Sequence, residues 1–187
     1  MSYQNAVLKR YLDDLAAKLP APGGGSAAAL SSAMGASLIS MVVNFTLGKP
    51  RYAKYENELK KILEGSDKLR EEFMNLVDLD IIAYKSKNMR DALDVPFMVC
   101  RLCFEGIRLC PALITKGNVN LISDVAVAAI LLEAGFASAY FNIEINLKSL
   151  GDKKLTASIR KELKQKDKAI KKIRAQMEDK VGKIIRG

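Results

Sequence analysis

The sequence predicts an all-α fold, a single-domain bundle of about six helices spanning residues 1–187, and three observations support this. Hydrophobic residues make up 49% of the chain and charged residues 27%, so the chain can bury a core. Aromatic residues are scarce at 6%, which suits closely packed helices better than a β-sandwich. No alternation of polar and apolar residues persists, and there are only five Pro residues.

Pro and Gly residues separate the predicted helices, because both interrupt a helical pattern. The helices are predicted over residues 2–19, 26–47, 51–90, 96–116, 121–150 and 153–186. The second and fifth each carry a stripe of small residues, which permits close approach of a neighbouring backbone. We therefore expect these two at the centre of the bundle, with the amphipathic helices around them.

The segment from Leu19 to Gly48 has thirty residues without a charge, enough to span a bilayer. However, it contains five Ser residues, and its apolar residues are mostly Ala. These features favour a fully buried helix over a membrane span.

The N-terminus lacks a basic region followed by an apolar run, so the sequence predicts no signal peptide. The chain has three Cys residues, which in the absence of an export signal indicates free thiols in a reducing cytoplasm. We therefore expect a cytoplasmic protein.

The chain contains no His, which excludes Ser-His-Asp and Cys-His mechanisms and the usual His-based metal sites. Cys100, Cys103 and Cys110 have neither a fourth Cys nor a His beside them, so we predict buried packing residues and no metal site. Any proton transfer must therefore use Asp, Glu, Lys, Tyr, Cys or water.

The net charge of +9 belongs entirely to the last predicted helix. Residues 153–187 contain 13 Lys or Arg residues against four acidic ones, whereas the rest of the chain is neutral. A solvated outer face explains this charge, and attraction of an anionic small ligand such as a polyglutamate tail is an alternative. The helix lacks aromatic residues for base stacking, which argues against nucleic acid as a partner.

Gly23-Gly24-Gly25-Ser26 precedes the second predicted helix. Glycines let a ligand approach the backbone, and the first free N–H groups of a helix favour an anion or a carbonyl oxygen. The alternative is a tight interhelical turn in which Ser26 is the N-cap.

A second polar segment, Asn118 to Asp124, opens the fifth predicted helix. Asp124 either stabilises the helix dipole or serves as a general base. Asn142 and Asn146 share one face of that helix, where they form core hydrogen bonds or contact a ligand. Asn142 lies eighteen residues after Asp124, about 27 Å along a straight helix, so the two cannot line one small pocket of a single chain. If both are functional, they serve opposite ends of a long ligand, or one of them meets a partner subunit.

Asp80 and Tyr84 are one turn apart on the third predicted helix. Such a pair either faces solvent or contributes to a site, and the local pattern leaves both alternatives open.

Two separated segments together resemble the formiminotransferase-cyclodeaminase C-terminal domain family. The first runs from Pro20 through Gly23-Gly24-Gly25-Ser26 to Gly48, and the second from Gly117 to Leu147. Asp80-Ile81-Ile82-Ala83-Tyr84 and Val95-Pro96 lie at the expected places between them. The resemblance covers nearly the whole chain.

The resemblance implies an all-helical homodimer that acts on the one-carbon unit of tetrahydrofolate. Cyclodeaminases of the family close 5-formiminotetrahydrofolate to 5,10-methenyltetrahydrofolate and release ammonia. Cyclohydrolases open methenyltetrahydrofolate with water to give 10-formyltetrahydrofolate. Both reactions need proton transfer and positioning, and we expect no cofactor beyond the tetrahydrofolate substrate.

The resemblance also suggests which residues form the site. Asp124 is the first candidate for the proton-transferring carboxylate, and Asp80 is the second. The expected substrate-binding residues are Gly23, Gly24, Gly25, Ser26, Asn118, Asn120, Ser123 and Asn146.

One departure from the family pattern is the short segment between Tyr84 and Pro96, which has only eleven residues. If the longer family segment contributes to the site, this chain has altered substrate choice or no activity. The alternative hypothesis is therefore a non-catalytic helical dimer of the same fold.

Overall fold

The computed structural model describes residues 2–3 and 6–187, which form seven α-helices and two 3₁₀ turns and contain no strand. The helices are α1 (Leu8–Ala16), α2 (Gly24–Asn44), α3 (Glu56–Ser86), α4 (Met89–Ile107), α5 (Cys110–Lys116), α6 (Ile122–Leu150) and α7 (Lys153–Arg186). The 3₁₀ turns, Pro50–Tyr55 and Val119–Leu121, lead into α3 and α6. The predicted all-α class is therefore confirmed.

The first helix is shorter than the predicted range of 2–19, because it begins at Leu8 and ends at Ala16. Ala17 already has an extended backbone, three residues before the first proline of the Pro20-Ala21-Pro22 segment. Residues 4 and 5 of the predicted helix, together with residue 1, lie outside the described residues.

Pro96 does not begin a helix, as the predicted range 96–116 assumed, but lies inside α4. A proline lacks the N–H that would bond the carbonyl of the residue four positions earlier. That carbonyl belongs to Ala92, and the Asn146 side-chain amide of α6 donates a hydrogen bond to it instead. The same predicted range also contains a break, since α4 ends at Ile107 and α5 follows.

The two helices rich in small residues, α2 and α6, lie at the centre, as predicted. They run antiparallel, since Gly35 lies against Ala128 and Gly135 against Ala28. They touch where each has a glycine. A Cβ atom on Gly135 would lie 2.0 Å from Ser32 Oγ and 3.1 Å from the Ala28 carbonyl oxygen. A Cβ on Gly35 would lie 2.9 Å from Leu132 Cγ. The other helices pack around this pair, with α3 against α2, and α4 and α7 against α6.

The uncharged segment forms α2, and its hydroxyl groups are satisfied within the bundle. Ser32 Oγ donates to the Ala28 carbonyl at 2.8 Å, and Ser40 Oγ lies 2.8 Å from Ser66 Oγ and donates to Asp67 at 2.9 Å. These bonds remove the cost of burying the hydroxyls.

Two helical segments, α2 and residues 119–150, are long and apolar enough to cross a membrane by length and composition alone. Within its most apolar window α2 is 61% buried inside the bundle, whereas the later segment is only 39% buried. The difference shows that α6 has an apolar side that this chain does not cover.

The basic helix α7 packs its apolar stripe against the bundle. The buried residues of this stripe are Ile159, Leu163, Ile170, Met177 and Val181. Its charged residues lie on the outer side, where Arg160 forms an ion pair with Glu144 of α6 at 2.6 Å. This apolar stripe is the side by which α7, an otherwise polar helix, packs against the bundle.

Gly135→Ala should lower the free energy of unfolding by about 1–3 kcal/mol, because the new methyl group overlaps Ser32 and a backbone carbonyl. Chemical denaturation measures this change. The matched control is Gly65→Ala in α3, whose Cβ would meet only Leu109 at 3.8 Å. That control should be stabilised by up to about 1 kcal/mol through its helix propensity. Equal effects of both variants would contradict the close α2–α6 contact.

Candidate functional site

The glycine segment forms the buried N-terminus of α2. Gly23 has an extended backbone, and the helix begins at Gly24. Ser26 is the third helical residue, so the alternative that it is the N-cap is wrong. The Ser26 N–H instead donates to Asp80 Oδ2 of α3 at 2.9 Å. A carboxylate from another helix therefore satisfies one of the free N–H groups at this helix start.

Gly25 makes room for this carboxylate. A Cβ atom at Gly25 would lie 2.1 Å from Asp80 Oδ1 and 2.7 Å from its Cγ, distances that no side chain tolerates. Nothing lies within 4 Å of the Cβ position of Gly23, so the loop edge is open on its other side. The glycines thus bring a carboxylate against a helix N-terminus and leave the backbone beside it accessible.

A cavity of about 250 Å³ opens at this place, between the glycine loop and the ends of α3, α4 and α6. It is lined by Pro20, Ala21, Gly23, Gly24, Gly25, Asp80, Ala83, Tyr84, Ala92, Pro96, Asn142 and Asn146. Its volume is near the lower end of the range for small-molecule pockets. The short connection after Tyr84 places the first turns of α4 directly in this wall.

Asp80 is the only charged residue among those that line the cavity. Burial raises the pKa of its carboxyl above the usual aspartate range, and the Ser26 N–H opposes this by stabilising the carboxylate. A carboxyl group with a raised pKa can exchange protons closer to neutral pH. Asp80 is therefore the candidate acid or base among the described residues that line this cavity.

Two amides from α6 complete the cavity wall. The Asn142 side-chain N–H donates to the Ser138 carbonyl at 3.0 Å, and that of Asn146 donates to Ala92. Both amide nitrogens therefore have a structural partner. Neither side-chain carbonyl oxygen has a partner in the described part of the chain, so both can accept hydrogen bonds from a ligand. The sequence predicts that Asn142 and Asn146 share one helix face, but the predicted site residues include only Asn146, whereas both line the cavity.

The predicted residues between Asn118 and Asp124 lie at the opposite end of α2 and α6. The Asn118 backbone N–H donates to Thr46 Oγ1 at 2.9 Å, and its buried side chain accepts from the Asn120 N–H at 3.2 Å. Asn118 thus ties the end of α2 to the start of α6. Within one chain this segment is separate from the cavity that contains Asp80.

The other predicted site residues of that segment, Asn120, Ser123 and Asp124, are not buried. Asn120 and Ser123 are exposed, and Asp124 is half-buried and has no hydrogen bond or ion pair with another described residue. The structure therefore brings together Gly23–Gly25, Asp80 and Asn146, but not the Asn118–Asp124 segment. A role for that segment in the same site requires a second chain.

Tyr11 of α1 is a residue near the site that the sequence did not single out. Its hydroxyl donates to Ser26 Oγ at 3.1 Å. Ser26 is fully buried, so its hydroxyl does not line the cavity. A tyrosine in an apolar stripe carries no signal of such a bond, because the partner lies fifteen residues away across a loop.

The three cysteines are buried in the core, as predicted. Burial raises the pKa of the Cys103 and Cys110 thiols to about 12 and also raises that of Cys100. The thiols therefore stay protonated near neutral pH and pack as small apolar groups.

Asp80→Asn should raise the melting temperature at pH 7, because burial disfavours the charged form of the Asp80 carboxyl. A carboxyl whose folded pKa is raised stabilises the fold below its unfolded pKa, and this contribution is lost as the pH rises through the folded pKa. The difference between variant and wild type should therefore shrink as the pH falls towards about 3.9. Melting curves across this range measure it. A variant less stable at pH 7 would contradict the raised pKa.

Comparison with known proteins relates this geometry to a family. A family model for formiminotransferase-cyclodeaminase matches residues 7–87 and 85–165. A methenyltetrahydrofolate cyclohydrolase from Methylorubrum extorquens is 38% identical over 182 residues, covering 85% of this chain and 88% of the relative. The rat formimidoyltransferase-cyclodeaminase is 29% identical over 81% of this chain, which spans only 32% of that relative.

A crystal structure of formiminotetrahydrofolate cyclodeaminase from Thermotoga maritima has the same fold, with a TM-score of 0.93 and 28% identity. The match covers 98% of this chain and 100% of the other. Together with the family model, which spans well over half of the chain, these matches establish that the chain belongs to the formiminotransferase-cyclodeaminase family.

Proposed function

We propose that this chain is a one-carbon folate enzyme that acts on the N5–N10 bridge of tetrahydrofolate. The observation that carries the proposal is that the cavity holds a single charged group, the Asp80 carboxyl, beside an open glycine backbone. Methenyltetrahydrofolate and protonated formiminotetrahydrofolate both have a cationic carbon–nitrogen unit at the reacting carbon. One carboxylate without a neighbouring Lys or Arg complements such a cation.

The first candidate reaction is that of a methenyltetrahydrofolate cyclohydrolase, the name of the relative at 38% identity. Water adds to the bridge carbon while the Asp80 carboxylate accepts one of its protons. The tetrahedral intermediate then breaks its bond to N5, which takes up a proton, and the formyl group stays on N10. One proton is released overall. A carboxyl with a raised pKa can accept the first proton and return one to N5.

The second candidate is formiminotetrahydrofolate cyclodeaminase, favoured by the TM-score of 0.93 to a structure of that name. Here N10 attacks the formimino carbon and its proton passes to the imino nitrogen, and the amine so formed leaves as ammonia. Asp80 in its protonated form donates to the departing nitrogen. The same cavity serves both reactions, because both pass through a tetrahedral carbon between N5 and N10.

The proposal includes no cofactor beyond the tetrahydrofolate substrate and a cytoplasmic location. Proton transfer by Asp80 and placement by Asn142 and Asn146 suffice for either reaction, without redox chemistry. Three free thiols suit a reducing compartment.

The decisive experiment follows the methenyl absorbance after mixing purified protein with each of the two folates. Wild type should turn over at least one of them. Asp80→Asn should lower kcat by about 100- to 10,000-fold, because the proton-transferring group is lost while the shape is kept. Asp94→Asn on α4, whose carboxylate pairs only with Arg90 at the surface, is the matched control and should retain activity.

Failure of wild type to turn over either folate would overturn the proposal and favour the non-catalytic dimer. Full activity of Asp80→Asn would show that Asp80 is not the proton-transferring group, but it would not contradict the proposed reaction.

The proposal also includes a homodimer, which the uncovered side of α6 supports. An exposed stripe runs along this helix through Ser123, Val127, Ile130, Ala134, Ser138, Phe141 and Ile145. Phe141 is 80% exposed and Ile145 65%, and no residue of the stripe is charged. Met34 and Phe45 of α2 are also exposed, at 48% and 56%. The stripe is about 33 Å long, and two helices of that length approach the roughly 800 Å² that a stable interface needs from each partner.

The stripe is nearly symmetric about Ala134, with Val127 and Phe141 at equal distances on either side. A second copy can therefore pack antiparallel through a two-fold axis near Ala134. Asp124 and Asn142 are eighteen residues apart and lie on one edge of this stripe. The antiparallel two-fold places the partner subunit's Asp124 beside Asn142 and the cavity. In this proposed dimer, the glycine loop of one chain and the Asn118–Asp124 segment of its partner would contribute to one site.

Ile130→Glu should convert the dimer to a monomer, because it puts a charge beside the two-fold axis. Light scattering during size-exclusion chromatography measures the mass. The matched control is Ile184→Glu on α7, where the isoleucine has similar exposure, at 45% against 39% for Ile130. The control should stay dimeric. A monomeric wild type would contradict the dimer, and sedimentation of wild type with lipid vesicles would indicate a membrane on this face.

Mixed dimers test whether the site is shared between subunits. If Asp124 of one chain acts beside Asp80 of the other, Asp124→Asn alone should also lower turnover. Unfolding and refolding a mixture of Asp80→Asn and Asp124→Asn should then restore about a quarter of wild-type activity, because each mixed dimer has one intact site. No restoration would contradict a shared site.

A further inference from the structure

Tyr11 is a buried polar side chain that the proposed reaction does not use. It is only 4% exposed, and it reaches from α1 to the start of α2. Burial raises the pKa of its hydroxyl, so the group is a neutral hydrogen-bond donor near neutral pH. Its partner, Ser26 Oγ at 3.1 Å, is fully buried as well.

Ser26 connects Tyr11 to the site through two different atoms. Its hydroxyl oxygen accepts from Tyr11, and its backbone N–H donates to Asp80 Oδ2 at 2.9 Å. Because Gly24 and Gly25 precede it, the start of α2 has no side chain of its own to hold this N–H in place. The hydroxyl of Tyr11 supplies that restraint.

Tyr11 is itself held in position by the N-terminal segment. Its ring packs edge-on against that of Tyr3, with 5.1 Å between the ring centres. The Tyr3 hydroxyl donates to Asp14 at 2.6 Å, and the Tyr3 backbone N–H donates to Asp78 at 2.7 Å. Asp78 precedes Asp80 on α3 by two residues. The restraint on Ser26 is therefore anchored on the helix that carries the carboxylate.

We propose that Tyr11 is a positioning residue, which holds Ser26 so that its N–H fixes the orientation and protonation of the Asp80 carboxyl. Its role in turnover rests on the proposed function, whereas its action on Asp80 does not. Tyr11 does not touch the cavity, so it acts through Ser26 and not on the substrate.

The direction of the effect follows from the groups around Asp80. The ionisable side chains near it are Tyr11 from α1 and Tyr84 on the next turn of α3, and no Lys or Arg lines the cavity. The Ser26 N–H is the group that lowers the Asp80 pKa against the effect of burial. Weakening that bond removes the opposing effect, so the pKa must rise further.

The test titrates Asp80 by carbon-13 NMR in the full-length protein, with the signal assigned by its loss in Asp80→Asn. Tyr11→Phe should raise the Asp80 pKa above the wild-type value. Ser26→Ala removes the acceptor of the same bond and should raise it similarly, which keeps the test valid if one variant folds poorly. Tyr3→Phe is the matched control, because it loses a tyrosine hydrogen bond in the same cluster without touching Ser26. Its Asp80 pKa should equal that of wild type.

Turnover provides the second measurement. Tyr11→Phe should lower kcat by roughly five- to tenfold, as expected for one weakened hydrogen bond, and leave KM within about twofold. The double variant Tyr11→Phe/Ser26→Ala should be no slower than Ser26→Ala alone, because both changes remove one connection.

An unchanged Asp80 pKa in both Tyr11→Phe and Ser26→Ala would overturn the inference. Equal pKa shifts in Tyr3→Phe and Tyr11→Phe would also overturn it, because they would indicate general loosening of the N-terminal segment. If wild type turns over neither folate, the proposed function fails, and the titration alone decides the role of Tyr11.

Discussion

The hydrogen bond from the Ser26 N–H to the Asp80 carboxylate, made across Gly25, is the interaction on which the site depends. The N-terminus of α2 is buried, and its own segment offers no capping side chain, so its N–H groups need an acceptor from elsewhere. Asp80 is that acceptor, and it reaches the backbone only because Gly25 has no Cβ. The carboxyl is also buried at this place, and burial raises its pKa while the Ser26 N–H partly opposes the rise. One constraint therefore provides both the helix cap and a carboxyl suited to proton transfer.

The central helices show why a packed helical bundle can contain segments with the composition of membrane spans. Gly35 and Gly135 let α2 and α6 approach closely, and serine hydroxyls bond to backbone carbonyls one turn away. Charged residues would not fit between helices packed in this way. The outer side of α6 remains apolar as well, where Phe141 and Ile145 are exposed. The small and apolar residues of α2 and α6 therefore account both for the close packing inside the bundle and for the uncovered stripe on its outer side.

Much of this arrangement was predictable, and the errors have physical causes. The helical class follows from periodicity and helix breakers. The pattern predicts a helix start at Pro96, because the hydrogen bond that lets this proline lie inside α4 comes from Asn146, fifty residues away. The sequence predicts that the glycine loop is part of a site, but it leaves open whether Ser26 caps the helix, a role that Asp80 fills from another helix. The order of the two candidate carboxylates, Asp124 before Asp80, stays a prediction, and it favours Asp124 because a carboxylate at a helix start has a recognisable local signal. A carboxylate in the middle of α3 has none until another helix places its N-terminus against it.

By itself the sequence determined the helical class, the central position of the two helices rich in small residues, the absence of histidine chemistry and the resemblance to the family. All of these depend on residue identity and on spacing within one element. Only the tertiary structure decided which polar residues meet. It joined Asp80 to the glycine loop, separated both from Asn118 and Asp124, and connected Tyr11 to Ser26. The reason is that burial and hydrogen-bond partners depend on contacts between distant segments. Such contacts bury the Asp80 carboxyl and raise its pKa, whereas Asp124 stays half-buried and has no such partner among the described residues.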